Sequence, residues 1–186
     1  TPVHGILGEN GHAVAVETLT GERIPADTVI VGVGVVPNVE LAEAAGLHVA
    51  NGIVVDEAMR TSDPRIVAAG DAVSFHHWAL GRPVRLESVQ NAVDQAKTGV
   101  AALLGKVEPY RAVPWFWSDQ GDAKLQMVGL SNDADWRLLR GRPDDGSFSV
   151  FHYQGDRLVA IDSVNRAADH MLGRRMLGSG FQLDKQ

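Results

Sequence analysis

No cysteine occurs among the 186 residues, so the chain itself holds no disulfide, no thiolate metal site and no redox-active cysteine pair. No apolar run approaches the ~20 residues that a membrane-spanning helix needs, and the first residues lack the pattern of a signal peptide. Basic stripes are missing too, and the formal net charge is −6, which argues against a nucleic-acid partner. These absences favour a reducing compartment, and we expect the cytoplasm, with no membrane or nucleic-acid contact.

Basic residues are scarce in the first part of the chain and balanced in the last part. Residues 1–105 carry 6 Lys+Arg against 12 Asp+Glu, whereas residues 106–186 carry 11 of each. This change of composition near Gly105 predicts a domain boundary.

Apolar runs in the first part are typical of β-strands, and we predict four of them, at residues 12–18, 28–36, 53–55 and 66–69. The run "TVIVGVGVV" suits a strand buried on both faces of a parallel sheet. The next segment, "NVELAEAAG", predicts a short helix with Asn38 as its N-cap and Gly46 at its end.

A longer helix is predicted to begin near Ser88 and to end at Gly105. Its apolar residues recur at helical spacing. They are Val89, Ala92, Val93, Ala96, Val100, Leu103 and Leu104. His76 and His77, which precede this helix, are predicted to lie in a loop and not to bind metal.

Short strands separated by turns characterise the last third of the chain. The segments are "KLQMVGL", "WRLLR", "FSVFHY" and "RLVAID", and a helix capped by Asn165 follows them. Consecutive strands with one late helix predict a small antiparallel α+β unit.

Three stretches in the first part are candidates for ligand binding. "VGVG" places Gly32 and Gly34 after a strand, but Pro37 occupies the third position of G-x-G-x-x-G, so the dinucleotide motif is incomplete. Gly70 and Asp71 follow the apolar run 66–69, and a carboxylate at the end of a strand can accept hydrogen bonds from sugar-like hydroxyls. In both cases an ordinary turn is the alternative.

The third stretch is the start of the long helix, where Glu87 and Ser88 precede free backbone N–H groups. These groups and the positive end of the helix dipole can stabilise an electron-rich or anionic group, and ordinary capping is the alternative. Further along, "PWFWSDQ" places aromatic residues on both sides of an extended segment. They can cover a flat ring or form a hydrophobic plug between domains.

Taken in order, six blocks of this sequence resemble the FAD-dependent ferredoxin reductases of bacterial oxygenase systems. The blocks are "ADTVIVGVGVVPNVELAEAAGL", "GIVVDEAMRTSDPRIVAAGD", "RLESVQNAVDQA", "VPWFWSDQ", "KLQMVGL" and "FSVFHYQGDRLVAIDSVNR". The resemblance implies an α/β fold: an incomplete FAD/NAD(P)-binding doubly wound domain followed by a small α+β C-terminal reductase domain. It assigns residues 1–36 to the end of the NAD-binding domain, 37–105 to the second half of the FAD-binding domain and 106–186 to the C-terminal domain. The sequence then corresponds to the C-terminal part of such an enzyme.

The same resemblance implies an oxidoreductase with FAD as cofactor, NAD(H) as co-substrate and a [2Fe–2S] ferredoxin as partner. Asp71, beside Gly70, matches a residue at the FAD ribityl and pyrophosphate region. Val89, after Ser88, matches a backbone contact to the flavin ring, and Trp117 matches an aromatic residue beside it. Glu87 matches a residue near the nicotinamide, and Gly32 and Gly34 match the return to the flavin domain. No residue is assigned to acid–base catalysis, and no metal site is expected.

Three alternatives stay open at this point. The acceptor can be a rubredoxin or a quinone, the protein can be a disulfide reductase of the same superfamily, or the chain can be a docking or dimerising module without activity. A homodimer is compatible with each of them. For the acidic surface of a ferredoxin, Arg137, Arg140, Arg174 and Arg175 are the predicted contacts.

Overall fold

The computed structural model describes residues 1–180. It divides into two compact units, Thr1–Val36 and Pro37–Gln186. Within the described residues, the helices are all too short or too polar to cross a membrane. The last six positions of the predicted C-terminal domain lie outside the described part.

The first unit is a three-stranded antiparallel sheet in the order β1-β2-β3. Its strands are β1 (Val3–Glu9), β2 (His12–Thr18) and β3 (Arg23–Pro25). The strand predicted over residues 12–18 is confirmed by β2.

The strand predicted over residues 28–36 is wrong, because this segment has no regular structure. Ile30 and Val33 are 94% and 88% exposed. A strand that is apolar on both faces needs neighbouring strands and covering helices, and no described strand pairs with this segment. Gly32 and Gly34 lie in it.

The second unit begins with two helices and a mixed four-stranded sheet in the order β4-β5-β6-β7. The elements are α1 (Glu40–Ala44), β4 (Val49–Ala50), β5 (Gly52–Val55), β6 (Val73–His77), β7 (Arg82–Val84) and α2 (Val89–Leu103). Only β5 and β6 run parallel among these pairs. The core beneath them contains Val55, Met59, Val73, Phe75 and Tyr110. The strand predicted at 53–55 is confirmed.

The strand predicted over residues 66–69 is wrong, since only an isolated bridge joins Arg60 and Val67. A turn at Asp63 prevents a longer ladder, because the N–H of Ile66 donates to the Asp63 carbonyl. The strand lies further on as β6, which includes His76 and His77, so their prediction as loop residues is also wrong. Two adjacent histidines interrupt the apolar pattern by which a strand is recognised.

Helix α1 is shorter than predicted. It begins at Glu40 with Val39 as the cap residue, so Asn38 is not the N-cap. At its other end, the N–H of Gly46 donates to Glu43 and its φ is +71°, which confirms Gly46 as the stop.

Helix α2 begins and ends where predicted, but its buried and exposed faces are the reverse of those that the apolar spacing predicts. Its buried residues are Gln90, Asn91, Gln95 and Gly99. The apolar residues are turned to solvent: Val89, Val93, Val100, Leu103 and Leu104 are 62%, 46%, 55%, 52% and 76% exposed. The helix is therefore held by the side chains that periodicity assigns to its outer face.

The rest of the second unit is a five-stranded antiparallel sheet covered by one helix. The four predicted strands and the helix are confirmed, and the segment "PWFWSDQ" adds a fifth strand. The strand order is β10-β11-β12-β9-β8. The elements are β8 (Trp115–Gln120), β9 (Ala123–Gly129), β10 (Trp136–Arg142), β11 (Ser147–Gln154), β12 (Arg157–Val164) and α3 (Ala167–Ser179). Gly129 allows β9 to approach β12, since a Cβ there would overlap the carbonyl oxygen of Val159.

Asn165 is not the N-cap of the last helix. It adopts φ +52° before the helix. Its Oδ1 accepts from the N–H of Lys124 at 3.0 Å and its Nδ2 donates to the Gly146 carbonyl at 2.9 Å. Asn165 therefore joins two turns, and Arg166 takes the cap position.

Asp169, in α3, is a buried acid beside the five-stranded sheet. It is 5% exposed, and it accepts hydrogen bonds from Ser149 Oγ at 2.9 Å and Arg166 Nε at 2.6 Å. Arg140 lies 3.2 Å from its other oxygen. Burial opposes its ionisation, but these bonds and charges outweigh burial and lower the pKa of Asp169.

His77 gives the fold a pH-dependent stability. Burial, followed by the charges of Arg82 and His76, lowers the pKa of His77 from 6.5 to about 4. Between pH 6.5 and pH 4, His77 is therefore protonated in the unfolded chain but not in the folded chain. The free energy of unfolding consequently falls as the pH falls from neutral towards 4. We expect a loss of about 2 kcal/mol between pH 7 and pH 5 from this residue.

Urea unfolding at several pH values measures this effect. His77→Phe should remove most of the slope between pH 7 and pH 5, whereas His76→Phe, at the exposed neighbour on the same strand, should leave most of it, because His76 is the last of the three causes that lower the pKa of His77. Equal slopes in the His77 variant and the unsubstituted chain would contradict the assignment.

Candidate functional site

The Gly70–Asp71 turn is fastened to helix α2. Gly70 has φ +92°, a conformation that favours glycine. Its N–H donates to Gln95 Oε1 at 2.9 Å, and a Cβ at this position would lie 3.6 Å from Ala92 Cβ. The turn thus lies against the first half of the helix, directly before β6.

The side chain of Asp71 is exposed, and within residues 1–180 its carboxylate makes no hydrogen bond. Its backbone is nonetheless fixed, because Arg85 donates to the Asp71 carbonyl at 3.0 Å. The same guanidinium contacts Glu87 Oε1 at 2.7 Å and Asn51 Oδ1 at 3.3 Å. Arg85 therefore holds Asp71 and Glu87 near each other and leaves the carboxylate of Asp71 available.

Side-chain hydrogen bonds with residues before and after it in the chain hold the start of α2 in place. Ser88 Oγ accepts from the N–H of Asn91 at 3.1 Å, which confirms Ser88 as the N-cap. Asn91 Nδ2 donates to Leu86 at 3.1 Å and its Oδ1 accepts from Tyr110 Oη at 3.1 Å. Burial and then Asp94 raise the pKa of Tyr110 to about 12, so it remains a donor. Val89, in the first turn, is 62% exposed.

Strand β8 is joined to the same helix through Gln90. The N–H of Trp115 donates to Gln90 Oε1 at 3.2 Å. Trp115 lies beneath Arg174, whose guanidinium carbon is 4.4 Å from the ring centroid, and beside Trp117 at 5.5 Å. Trp117 is 46% exposed, so an aromatic surface is available next to the helix.

The amides of Gln90, Asn91 and Gln95 thus bring together most of the predicted site. Gly70, Asp71, Glu87, Ser88, Val89 and Trp117 all lie on segments tied to α2 or adjoining it. Gly32 and Gly34 belong to the first compact unit. The assignment of all eight residues to cofactor binding stays a prediction. Sequence reasoning missed Arg85, Gln90 and Gln95. For the two glutamines the only signal is the polar stripe of α2, opposite the apolar one, and Arg85 lies before that helix and gives no such signal.

Two of the four arginines predicted to dock a partner have partners inside this chain. Arg140 pairs with Asp169, and Arg174 covers Trp115. Within residues 1–180, no group of three histidine, aspartate or glutamate side chains is arranged to hold a metal ion.

The donor set fits a flavin dinucleotide better than a small ion. Asp71 offers a charged acceptor for hydroxyl groups, the first turn of α2 offers backbone N–H groups, and Val89 and Trp117 offer exposed apolar surface for a flat ring.

Family models cover most of the chain. The Pyridine nucleotide-disulphide oxidoreductase model matches residues 1–96, and the Reductase C-terminal model matches residues 115–186. Rhodocoxin reductase from Rhodococcus erythropolis is 50% identical over 183 residues, which are 98% of this chain and 43% of that protein.

Two solved structures resemble the chain along almost its whole length. The ferredoxin reductase for the CYP199A2 system from Rhodopseudomonas palustris is 48% identical, with a TM-score of 0.93 over 98% of this chain and 45% of that one. The covalent putidaredoxin reductase–putidaredoxin complex is 46% identical, with a TM-score of 0.91 over 99% of this chain and 45% of that one. The chain spans less than half the length of these relatives.

Proposed function

Because this chain belongs to the pyridine nucleotide-disulphide oxidoreductase family, we propose that it forms part of an enzyme that passes electrons from NADH through FAD to a [2Fe–2S] ferredoxin. The chain contributes one side of the FAD site and the C-terminal reductase domain. Rhodocoxin reductase and the two solved ferredoxin reductases, at 46–50% identity, support this proposal. The enzyme acts in the cytoplasm, in keeping with a chain that has no cysteine.

The proposal rests on the carboxylate of Asp71, which makes no hydrogen bond with the described residues. The turn that carries Asp71 is bound to α2 by the hydrogen bond from the Gly70 N–H to Gln95. A carboxylate with no partner in the described part of the chain is ready to accept hydrogen bonds from ribityl hydroxyls. The helix start at Ser88 and Val89 lies on the element to which that turn is bound. One rigid helix thereby positions a sugar-binding group and a dipole end.

Each remaining residue has a role that follows from its position. The backbone of Val89 lies at the positive end of α2 and favours an electron-rich ring edge. In this proposal Trp117, on β8, covers the flavin ring, and Glu87, whose carboxylate pairs with Arg85 at 2.7 Å, is assigned to the nicotinamide region. When bound, FAD supplies the redox chemistry by taking a hydride from NADH and releasing electrons singly. No side chain of this site needs to transfer a proton.

The proposal divides the chain into residues 1–36, 37–105 and 106–186. The compact unit Thr1–Val36 supports the first boundary. The Reductase C-terminal match at residues 115–186 supports a separate last domain. The first segment closes the NAD-binding domain, and the second completes the FAD-binding domain.

A chimera tests the function directly. The chain should replace the matching 43% of rhodocoxin reductase, and the product is expected to be yellow and to reduce putidaredoxin with NADH. The 186-residue chain alone is expected to be colourless and inactive, because its sequence has no G-x-G-x-x-G motif to hold the pyrophosphate. Flavin absorption and putidaredoxin reduction are the measurements.

Other acceptors distinguish the alternatives. A flavin-loaded chimera that reduces rubredoxin or a quinone but not putidaredoxin would refute the ferredoxin assignment. A yellow chain purified alone would refute the division of the FAD site between this chain and a further segment.

A further inference from the structure

Helix α3 contacts the first of the two tryptophans on strand β8. Trp115 and Trp117 are two residues apart on β8, so their side chains lie on the same face of the sheet. His170 and Arg174 are four residues apart on α3, and they lie on the same face of that helix. The His170 ring meets the Trp115 ring edge to face, with the centroids 6.0 Å apart, and the Arg174 guanidinium carbon lies 4.4 Å from the same ring.

Trp115 is held on several sides. Its backbone N–H donates to Gln90 Oε1 at 3.2 Å, and its ring packs against the apolar core beside the five-stranded sheet. Burial and then Arg174 lower the pKa of His170, so this histidine meets the Trp115 ring as a neutral group at pH 7. The positive charge at the ring therefore comes from Arg174, and a cation above an indole is attracted by its π electrons.

The charge of Arg174 has no acidic partner in the described part of the chain. Its side chain is exposed, and within residues 1–180 it makes no ion pair. The next residue, Arg175, is also exposed and also makes no ion pair within these residues. The two arginines thus differ in one respect, which is the contact of Arg174 with the indole.

Trp117 depends on Trp115 for its own orientation. The two ring centroids are 5.5 Å apart and the ring planes are inclined at 32°. Trp117 is 46% exposed, and among residues 1–180 no other aromatic ring contacts it. A change in the position of the Trp115 ring is therefore passed on to Trp117.

We propose that Arg174 is a positioning residue of the flavin site, because it holds the Trp115 ring and thereby fixes Trp117. This inference rests on the proposed function, which takes Trp117 to cover the flavin. It assigns the charge of Arg174 to an indole of its own chain instead of to the acidic surface of a ferredoxin. An indole held still beside a flavin quenches the emission of the flavin, whereas a loosely held indole does so for part of the time.

Circular dichroism of the 186-residue chain tests the first step without any flavin. Two indoles 5.5 Å apart give an exciton couplet in the far ultraviolet, and Trp117→Phe identifies this couplet by removing it. Arg174→Gln should reduce the couplet, and Arg174→Lys, which keeps a cation, should retain most of it. Arg175→Gln, the control, removes the same charge one position along the helix and should leave the couplet unchanged. A full couplet in the Arg174→Gln chain would overturn the proposal.

Flavin emission of the chimera tests the second step. Arg174→Gln should raise this emission by up to about fivefold, the effect of losing a cation–π contact at an exposed site. In a chimera that also carries Trp117→Ala, the same substitution should have no effect, since Arg174 acts through that ring. Equal effects in the two backgrounds would overturn the proposal. So would a raised KM for putidaredoxin with unaltered flavin emission, because the arginine would then act on the partner.

The chimera also separates this inference from the proposed function. A colourless chimera would refute the proposed function and, with it, the role of Arg174 at a flavin. A yellow chimera that reduces putidaredoxin, and whose emission is unaltered by Arg174→Gln, would overturn the positioning role and leave the proposed function in place.

Discussion

Replacing Asp71 with Ala in the chimera is expected to weaken FAD retention by roughly 10- to 100-fold, since hydrogen bonds to a charged acceptor are worth about 1.5–3 kcal/mol. The effect is functional and not structural, because the Asp71 carboxylate makes no hydrogen bond within residues 1–180. The turn itself is held by the backbone contacts of Gly70 to Gln95 and of Asp71 to Arg85. Flavin fluorescence after exhaustive dialysis measures the retained FAD.

The matched control for this experiment is Asp144→Ala, which removes an exposed acid from the last domain. It should retain FAD as the unsubstituted chimera does. Asp71→Asn should lie between the two, because an amide oxygen still accepts a hydrogen bond but carries no charge. Full flavin content in the Asp71→Ala protein would remove Asp71 from the cofactor site.

Replacing Asp169 with Ala is expected to lower the free energy of unfolding by about 1–3 kcal/mol, the usual cost of leaving a buried hydrogen-bonding group without its partner. Asp169 is 5% exposed and satisfies Ser149, Arg166 and Arg140 together. Without it, the Ser149 hydroxyl is left buried without its carboxylate partner and two guanidinium groups lose their acceptor. Urea unfolding followed by Trp fluorescence measures the change.

Asp145→Ala provides the comparison for this stability measurement. Asp145 pairs with Arg142 at 3.8 Å, and both side chains are more than half exposed. Such surface pairs contribute about 0–1 kcal/mol, so the control should unfold close to the unsubstituted chain. A loss below 1 kcal/mol for Asp169→Ala would mean that the arginines find other acceptors.

The sequence pattern predicts the five-stranded sheet well because most of its strands pair with a strand that is next to them in the chain. Three of its four pairings join strands that follow one another in the chain, and the turn at 154–156 joins the two longest strands. Only the pairing of β12 with β9 is distant in sequence. The predicted strand at 28–36 depends instead on neighbours that no described residue provides. Apolar composition alone does not distinguish a strand from a segment that has nothing to pair with.

The candidate site was only partly predictable for a related reason. Gly70, Asp71 and Ser88 are recognisable because turn and cap residues act within a few positions of the chain. Gln90 and Gln95 act over 25 residues, on Trp115 and on Gly70. Spacing along a helix does not reveal such distant hydrogen bonds, and an amide facing away from the apolar stripe is ordinarily assigned to solvent.

The reversed polarity of α2 also has a consequence for mutational tolerance. On this helix the apolar positions Val93, Val100 and Leu103 are open to solvent, so polar residues there carry little cost to this chain as it stands. Hydrophobic replacements of Gln95 and Asn91, by contrast, are expected to be destabilising. The first would remove the hydrogen-bond acceptor of the Gly70 N–H, and the second that of the Tyr110 hydroxyl. In a library of α2 variants screened for expression, charged residues should therefore be enriched at these exposed apolar positions, and the buried amide side chains should be retained. That is the opposite of what selection does on an ordinary amphipathic helix.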